Sequence, residues 1–130
     1  MKVMRDFLTK AIVVTIALGA FGRAARAQAP QAYFEYQVDK HVTQVPGGPW
    51  PQYPDSLRIA KIDGQVIASF IVDTTGMADT TTLHILKSTH ALFTAAVQQV
   101  LPKLRFTPAE LHGVKVRQLV QQPFIFSMSP

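Results

Sequence analysis

Residues 65–87 constrain the fold more than any other stretch. Val66, Ala68, Phe70 and Val72 alternate with Gln65, Ile67, Ser69 and Ile71. A period of two marks a β-strand, and apolar residues on both faces place it inside a sheet rather than at its border. Asp73-Thr74-Thr75-Gly76 then makes a turn, with Gly76 supplying a positive φ. Residues 77–87 return as a second strand with Leu83 and Ile85 toward the core. Strands joined by so short a turn run antiparallel. The hairpin therefore commits the chain to an antiparallel sheet.

Two helical stretches flank it. Asp55 is placed as an N-cap, Leu57, Ile59, Ala60 and Ile62 follow, and Gly64 is placed as the stop, which predicts a helix over 55–62. Beyond the hairpin, Ser88 or Thr89 caps a second helix. Its apolar stripe is Phe93, Ala96, Val97, Val100 and Leu101, at spacings of three and four. Pro102 must fall at or past the end of that helix. Leu104 and Phe106 continue in extended form, and Gly113 turns the chain. Residues 114–128 form the last strand, with Val116, Gln118 and Val120 on one face. Pro123 points to a sheet border, because an edge strand tolerates a missing N–H donor. Two helices of this size cover one face of the sheet. The expected class is α+β.

Upstream, residues 33–45 alternate Phe34, Tyr36 and Val38 against Glu35, Gln37 and Asp39, the pattern of a half-buried strand. Pro46-Gly47-Gly48-Pro49 ends it. Trp50-Pro51-Gln52-Tyr53-Pro54 cannot be helical, since each proline lacks a donor and holds its predecessor extended. An ordered, extended run on the domain surface is expected there. The first residues carry positive charge, residues 11–22 are uncharged and mostly apolar, and Ala25-Arg26-Ala27 ends the segment as Ala-x-Ala. This is the order of a secretory signal peptide, cleaved after Ala27 and leading to the periplasm. A short uncleaved inner-membrane anchor is the other reading. The expected division is signal segment 1–27, lead 28–48 and domain 49–130.

The net charge of +5 resides mainly in that segment, where five basic side chains face Asp6 alone. The remainder is nearly neutral, without the basic face that nucleic-acid binding requires. Absence of cysteine excludes disulfides, zinc–thiolate sites and a cysteine nucleophile. His41, His84, His90 and His112 are scattered, with no i, i+4 pair to suggest a metal site. Ser88, His90 and Asp79 supply the residue types of a triad, but no Gly-x-Ser-x-Gly elbow accompanies them. No catalytic, cofactor or metal residue is expected, and the chain does not read as an enzyme.

Taken together, several motifs resemble the C-terminal domain of the TonB family. In order they are Tyr53-Pro54, Gly64-x-Val66, Phe70-x-Val72, Gly76, Ser88-x-His90-x-x-Phe93 and Ala96. Then come Arg105-Phe106-x-Pro108-Ala109, Gly113, Val116, Val120 and Pro123-x-x-Phe126. Trp50 stands where the family's Gln-Pro-x-Tyr-Pro run begins with glutamine, and Leu104 stands where a tryptophan is often found. The resemblance implies a three-stranded antiparallel sheet with two helices on one face, here preceded by the extended strand of the lead. It also implies a periplasmic protein that binds an extended segment, the TonB box, of an outer-membrane receptor. Binding would be by strand addition to a sheet edge, in energy-dependent transport. The implied partners are that receptor and inner-membrane proton-driven motor proteins.

The peptide-binding candidates are Trp50, Pro51, Gln52, Tyr53 and Pro54, together with Val116, Gln118 and Val120 of the last strand. Trp50 and Tyr53 read equally as a hydrophobic clamp that holds the proline run to the domain. The strand reads equally as an ordinary edge guarded by Pro123, Lys115 and Arg117. Arg105 is expected to pair with a carboxylate such as Asp73 or Glu110. The alternative function is a stand-alone interaction module that forms a homodimer through the same edge and does no transport work.

Overall fold

The computed structural model describes residues 31–128. The signal-peptide reading of residues 1–27 and the start of the lead lie outside the described residues. In chain order the elements are β1 (Ala32–Tyr33), β2 (Thr43–Gln44), α1 (Asp55–Ile59), β3 (Gly64–Val72), β4 (Ala78–Ser88), α2 (Ala91–Val100), β5 (Phe106–Thr107), β6 (Ala109–Leu111) and β7 (Val114–Phe126). Single 3-10 turns lie at Glu35–Gln37 and Leu101–Lys103. No described helix is long and apolar enough to cross a membrane.

The hairpin forms as its alternation requires. β3 lies at the centre, antiparallel to β4 on one side and to β7 on the other, with register running from Gly64↔Phe126 to Val72↔Gln118. The β3–β4 ladder shifts register beside Ala68 and again between Ser69 and Ile71, so the hairpin carries bulges that raise its twist. In the turn, Asp73 accepts hydrogen bonds from the Thr75 amide at 2.9 Å, the Thr75 hydroxyl at 2.5 Å and the Met77 amide at 3.1 Å. Burial works against ionisation of this carboxyl. The bonds from Thr75 and Met77, aided by Arg117, outweigh it and hold the group below the usual carboxylate range.

Period two also fixes which face is buried. Val66, Ala68, Phe70 and Val72 are fully enclosed, whereas Gln65, Ile67, Ser69 and Ile71 stay half-exposed on the opposite face. The stripe on α2 closes over the enclosed face: Phe93, Ala96, Val97 and Val100 are all buried there, and Leu57 of α1 joins them. Both helices cover the same face. Each large side chain enclosed here contributes about 1.5–3 kcal/mol relative to exposure.

Several expectations change. The sheet is not three antiparallel strands but a mixed five-stranded one. β1 runs parallel to β7, β6 pairs with the start of β7, and β2 with β5 makes a separate two-stranded sheet. The last strand is therefore paired with β6 at Val114–Val116 and covered at Arg117–Gln118 by β1 on the side away from β3, and it forms the border beyond β1. The long strand expected over 33–45 shrinks to β1 and β2. At Phe34 the amide donates to Gln37 Oε1 (2.8 Å) and the carbonyl accepts from the Gln37 amide (3.0 Å), which curls the chain into a turn.

The first helix is shorter than expected. Pro54 occupies its N-cap position and Asp55 sits in the first turn, paired with Arg58 at 2.9 Å. Lys61, at φ +58°, ends it, and the Ile62 amide bonds back to the Leu57 carbonyl. Gly64 is needed for a different reason: a Cβ there would lie 2.1 Å from Thr89 Oγ1 and 2.5 Å from the Phe93 ring. The cap of α2 is His90, whose Nδ1 accepts from the Leu92 amide at 3.0 Å, rather than Ser88 or Thr89. Arg105 makes no ion pair among the described residues. It donates to the carbonyls of Pro102 (3.1 Å) and Leu104 (2.9 Å), closing the 3-10 turn that follows α2.

Candidate peptide-docking rim

The proline run is held down by aromatic packing. Phe93 of α2 stacks on Phe126 of β7 with centroids 4.3 Å apart. Tyr53 stands edge-on to both, at 5.6 Å from Phe93 and 5.8 Å from Phe126, a favoured aromatic geometry. Its hydroxyl donates to the Ile62 carbonyl and lies 3.2 Å from Asp63 Oδ1. One residue thus ties the run to α2, to the end of β7 and to the loop after α1. Desolvation, then the hydrogen bond and charge of Asp63, push the Tyr53 phenol above the ordinary tyrosine value. In a spectrophotometric titration, one tyrosine is expected to ionise late, and Asp63→Asn moves its midpoint downward. A midpoint unchanged by Asp63→Asn counts against this contact.

Anchoring at Tyr53 leaves its neighbours free to face outward. Trp50 is 67% exposed. With Pro51 and Tyr53 it lines a cleft whose other wall is Phe124, Ile125 and Phe126 of β7. Gln52, Tyr53 and Pro54 line a second cleft, against Leu92, Ala95 and Gln99 of α2. Tyr53 is held as a clamp and also lines both clefts, whereas Trp50 stands exposed beside one of them.

The last strand divides as well. Val116 pairs with Ala109, and Gln118 with Tyr33 as well as Val72, so both already have strands beside them. The Gln118 side chain is only 3% exposed, and its Oε1 accepts from the Val42 amide at 2.8 Å. Val120 is half-buried and packs against the core. From residue 119 to 126, no described strand lies on the outer side of β7. Pro123, which has no donor, interrupts this open stretch opposite Ile67. Ile125, 65% exposed, flanks it at the Trp50 end. The proline run thus meets β7 at Phe124–Phe126, whereas Val116, Gln118 and Val120 lie farther back along the strand.

Triad-type residues do not assemble. The Ser88 hydroxyl donates to the backbone carbonyl of His90 and accepts from Thr94, while the imidazole caps α2. Asp79 bonds to Thr81 and pairs with Arg117 at 3.2 Å. Among the described residues, no three His, Asp or Glu side chains converge as metal ligands.

Residues 49–128 match the family model described as "Gram-negative bacterial TonB protein C-terminal". The chain belongs to this TonB family. A solution NMR structure of the Pseudomonas aeruginosa TonB C-terminal domain is similar in fold, with a TM-score of 0.57 and 26% identity, covering 71% of this chain and 91% of that one. No curated protein matches. The TonB domain is a protein-interaction domain rather than an enzyme family. Its match takes in every candidate from Trp50 to Val120 and leaves out β1 and β2. Of the two, β1 pairs with β7 at the rim, a pairing that sequence reasoning did not give, while β2 pairs with β5. The Phe34–Tyr36–Val38 alternation pointed to extended chain there, but nothing in it indicated pairing with β7.

Proposed function

We propose that this TonB-like domain binds an extended segment of an outer-membrane receptor in the periplasm by adding it as a strand along residues 119–122 of β7. Transport coupled to an inner-membrane motor belongs to the same proposal. The observation that carries it is the open stretch between β1 and Pro123, with Ile125 and Trp50 exposed beyond Pro123. Backbone groups on such an edge supply affinity without regard to sequence, and a neighbouring aromatic ring adds an anchor for one side chain of the guest. β1 supports the geometry, because two residues already sit on the outer side of β7 in parallel register.

The test is titration of the ¹⁵N-labelled chain with synthetic peptides copied from the N-terminal extended segments of outer-membrane receptors. Saturable shifts centred on the amides of residues 119–122 and on the Trp50 indole are expected. Trp50→Ala should weaken binding at least about tenfold while leaving the melting midpoint unchanged. Saturable binding that leaves residues 119–122 undisturbed would refute docking at this rim.

A further inference from the structure

We infer that residues 32–44 form a removable strap, and that the rim of β7 carries this segment of its own chain as an exchangeable occupant. The inference rests on the docking proposal only in placing a receptor strand on the same rim; the strap's exchange stands on its own observations.

The segment touches three strands through its backbone: Ala32 and Tyr33 beside Arg117 and Gln118 of β7, then Lys40 with Glu110 of β6, then Thr43 and Gln44 beside β5. The amides of Asp39 and Lys40 donate to the Glu110 carbonyl at 2.9 and 3.1 Å, and the Glu110 amide returns a bond to Lys40 at 2.9 Å. Side-chain ties are polar. Asp39 Oδ2 accepts from the His112 amide at 2.7 Å, and Gln44 Oε1 accepts from Gln122 Nε2 at 3.1 Å.

Apolar anchoring is slight by contrast. No residue of the strap is fully buried, and Val42 is its one side chain packed against the core. Phe34 and Tyr36 stack on each other in solvent, 50% and 82% exposed. A segment held by hydrogen bonds that water can replace, with little buried apolar surface, opens at a much lower free energy than the core. The core cluster draws its fully buried residues from 57–126, and the matched family domain begins at residue 49, after the strap. Pro46, Pro49, Pro51 and Pro54 follow it and act as a semi-rigid tether.

Occupation has a consequence for length. With the strap seated, the usable rim runs only from β1 to Pro123. Release of Ala32–Tyr33 adds positions 117 and 118, and release of Gln44 frees Gln122. The longer rim matches an ordinary strand of about 5–6 residues. The strap thus sets how readily the rim accepts a guest.

Two measurements on the full chain test this. In native-state hydrogen exchange, the amides of Lys40 and Val42 should exchange well before those of Ala68 and Phe70; simultaneous exchange would mean the strap is an integral part of the fold. The second uses Lys40→Pro with Val42→Pro, which removes the Lys40 donor to Glu110 and the Val42 donor to Gln118, and a fluorescein-labelled synthetic peptide of residues 31–45. The released variant should keep native protection in β3 and bind the peptide about tenfold or more tightly than the native chain, whose rim is mostly occupied. Equal affinity for the two proteins, no binding to either, or loss of β3 protection in the variant overturns the inference. Because the probe is the chain's own sequence, its failure is distinct from failure of the receptor peptides.

Discussion

Phe93→Ala is expected to destabilise the domain by about 3–5 kcal/mol, the range for deleting a fully enclosed aromatic ring. Phe93 has no exposed surface. Its ring fills the space between α2 and the end of β7, stacked on Phe126 and met edge-on by Tyr53. The missing Cβ of Gly64 lets the β3 backbone approach that ring. Alanine would leave a void that backbone from β3 and the ring of Tyr53 cannot both fill. For a domain of this size the melting midpoint should fall by about 15 °C or more. Thermal unfolding followed by circular dichroism measures it, and a fall of only a few degrees would show that the cluster relaxes freely.

The same substitution should also loosen the proline run, because Tyr53 rests on Phe93 while Trp50 does not. Trp50 fluorescence should then report greater mobility in Phe93→Ala below its melting transition. Trp50→Ala has the opposite profile, with binding lost and stability kept. A 67% exposed ring contributes little burial, so the two variants separate a framework role from a display role.

How much of this was legible depends on whether the cause was local. The even positions of β3 and the stripe on α2 were readable because period two and period 3.6 each repeat a single local rule. Gly76 was readable because turn geometry is local. The rest was set by partners distant in sequence. Phe34 and Tyr36 alternate as a strand would, yet they find each other instead of a sheet, and only Ala32–Tyr33 reach β7. Gly64 stands where a helix stop belongs, but Lys61 performs that task, and the glycine answers to Thr89 and Phe93. Arg105 satisfies carbonyls of its own turn, which charge alone does not predict.

The candidate site shows the same division. Composition and the aromatic-proline run singled out Trp50 and Tyr53, but only packing assigns them different tasks. Val116, Gln118 and Val120 lie on a common face of β7, as alternation requires. Which part of a strand's outer side is vacant is a property of its neighbours: β1 takes the place beside Gln118, and Val116 is paired with β6. Edge accessibility moves to residues 119–122, a shift of a few positions that changes which amides a binding experiment must watch.

Gly76→Ala should cost about 3–4 kcal/mol, more than a turn glycine of ordinary kind. Gly76 has φ +87°, where an alanine costs about 1–2 kcal/mol. A second term is specific to this fold. The Phe106 amide donates to the Gly76 carbonyl at 2.8 Å, which draws β5 onto the hairpin turn. A Cβ on residue 76 would stand 2.1 Å from the Phe106 carbonyl oxygen, and that oxygen belongs to backbone that cannot swing aside as a side chain does. Moving β5 away would pull Phe106, which is buried, off its 5.8 Å contact with Phe70 in the centre of the core. Gly113→Ala provides the internal control, since Gly113 has φ +78° and open space around its missing Cβ. Urea unfolding should therefore place Gly113→Ala about 1 kcal/mol below the native chain and Gly76→Ala well beyond it. Equal losses at the two glycines would mean that backbone conformation alone, and not the approach of β5, accounts for Gly76.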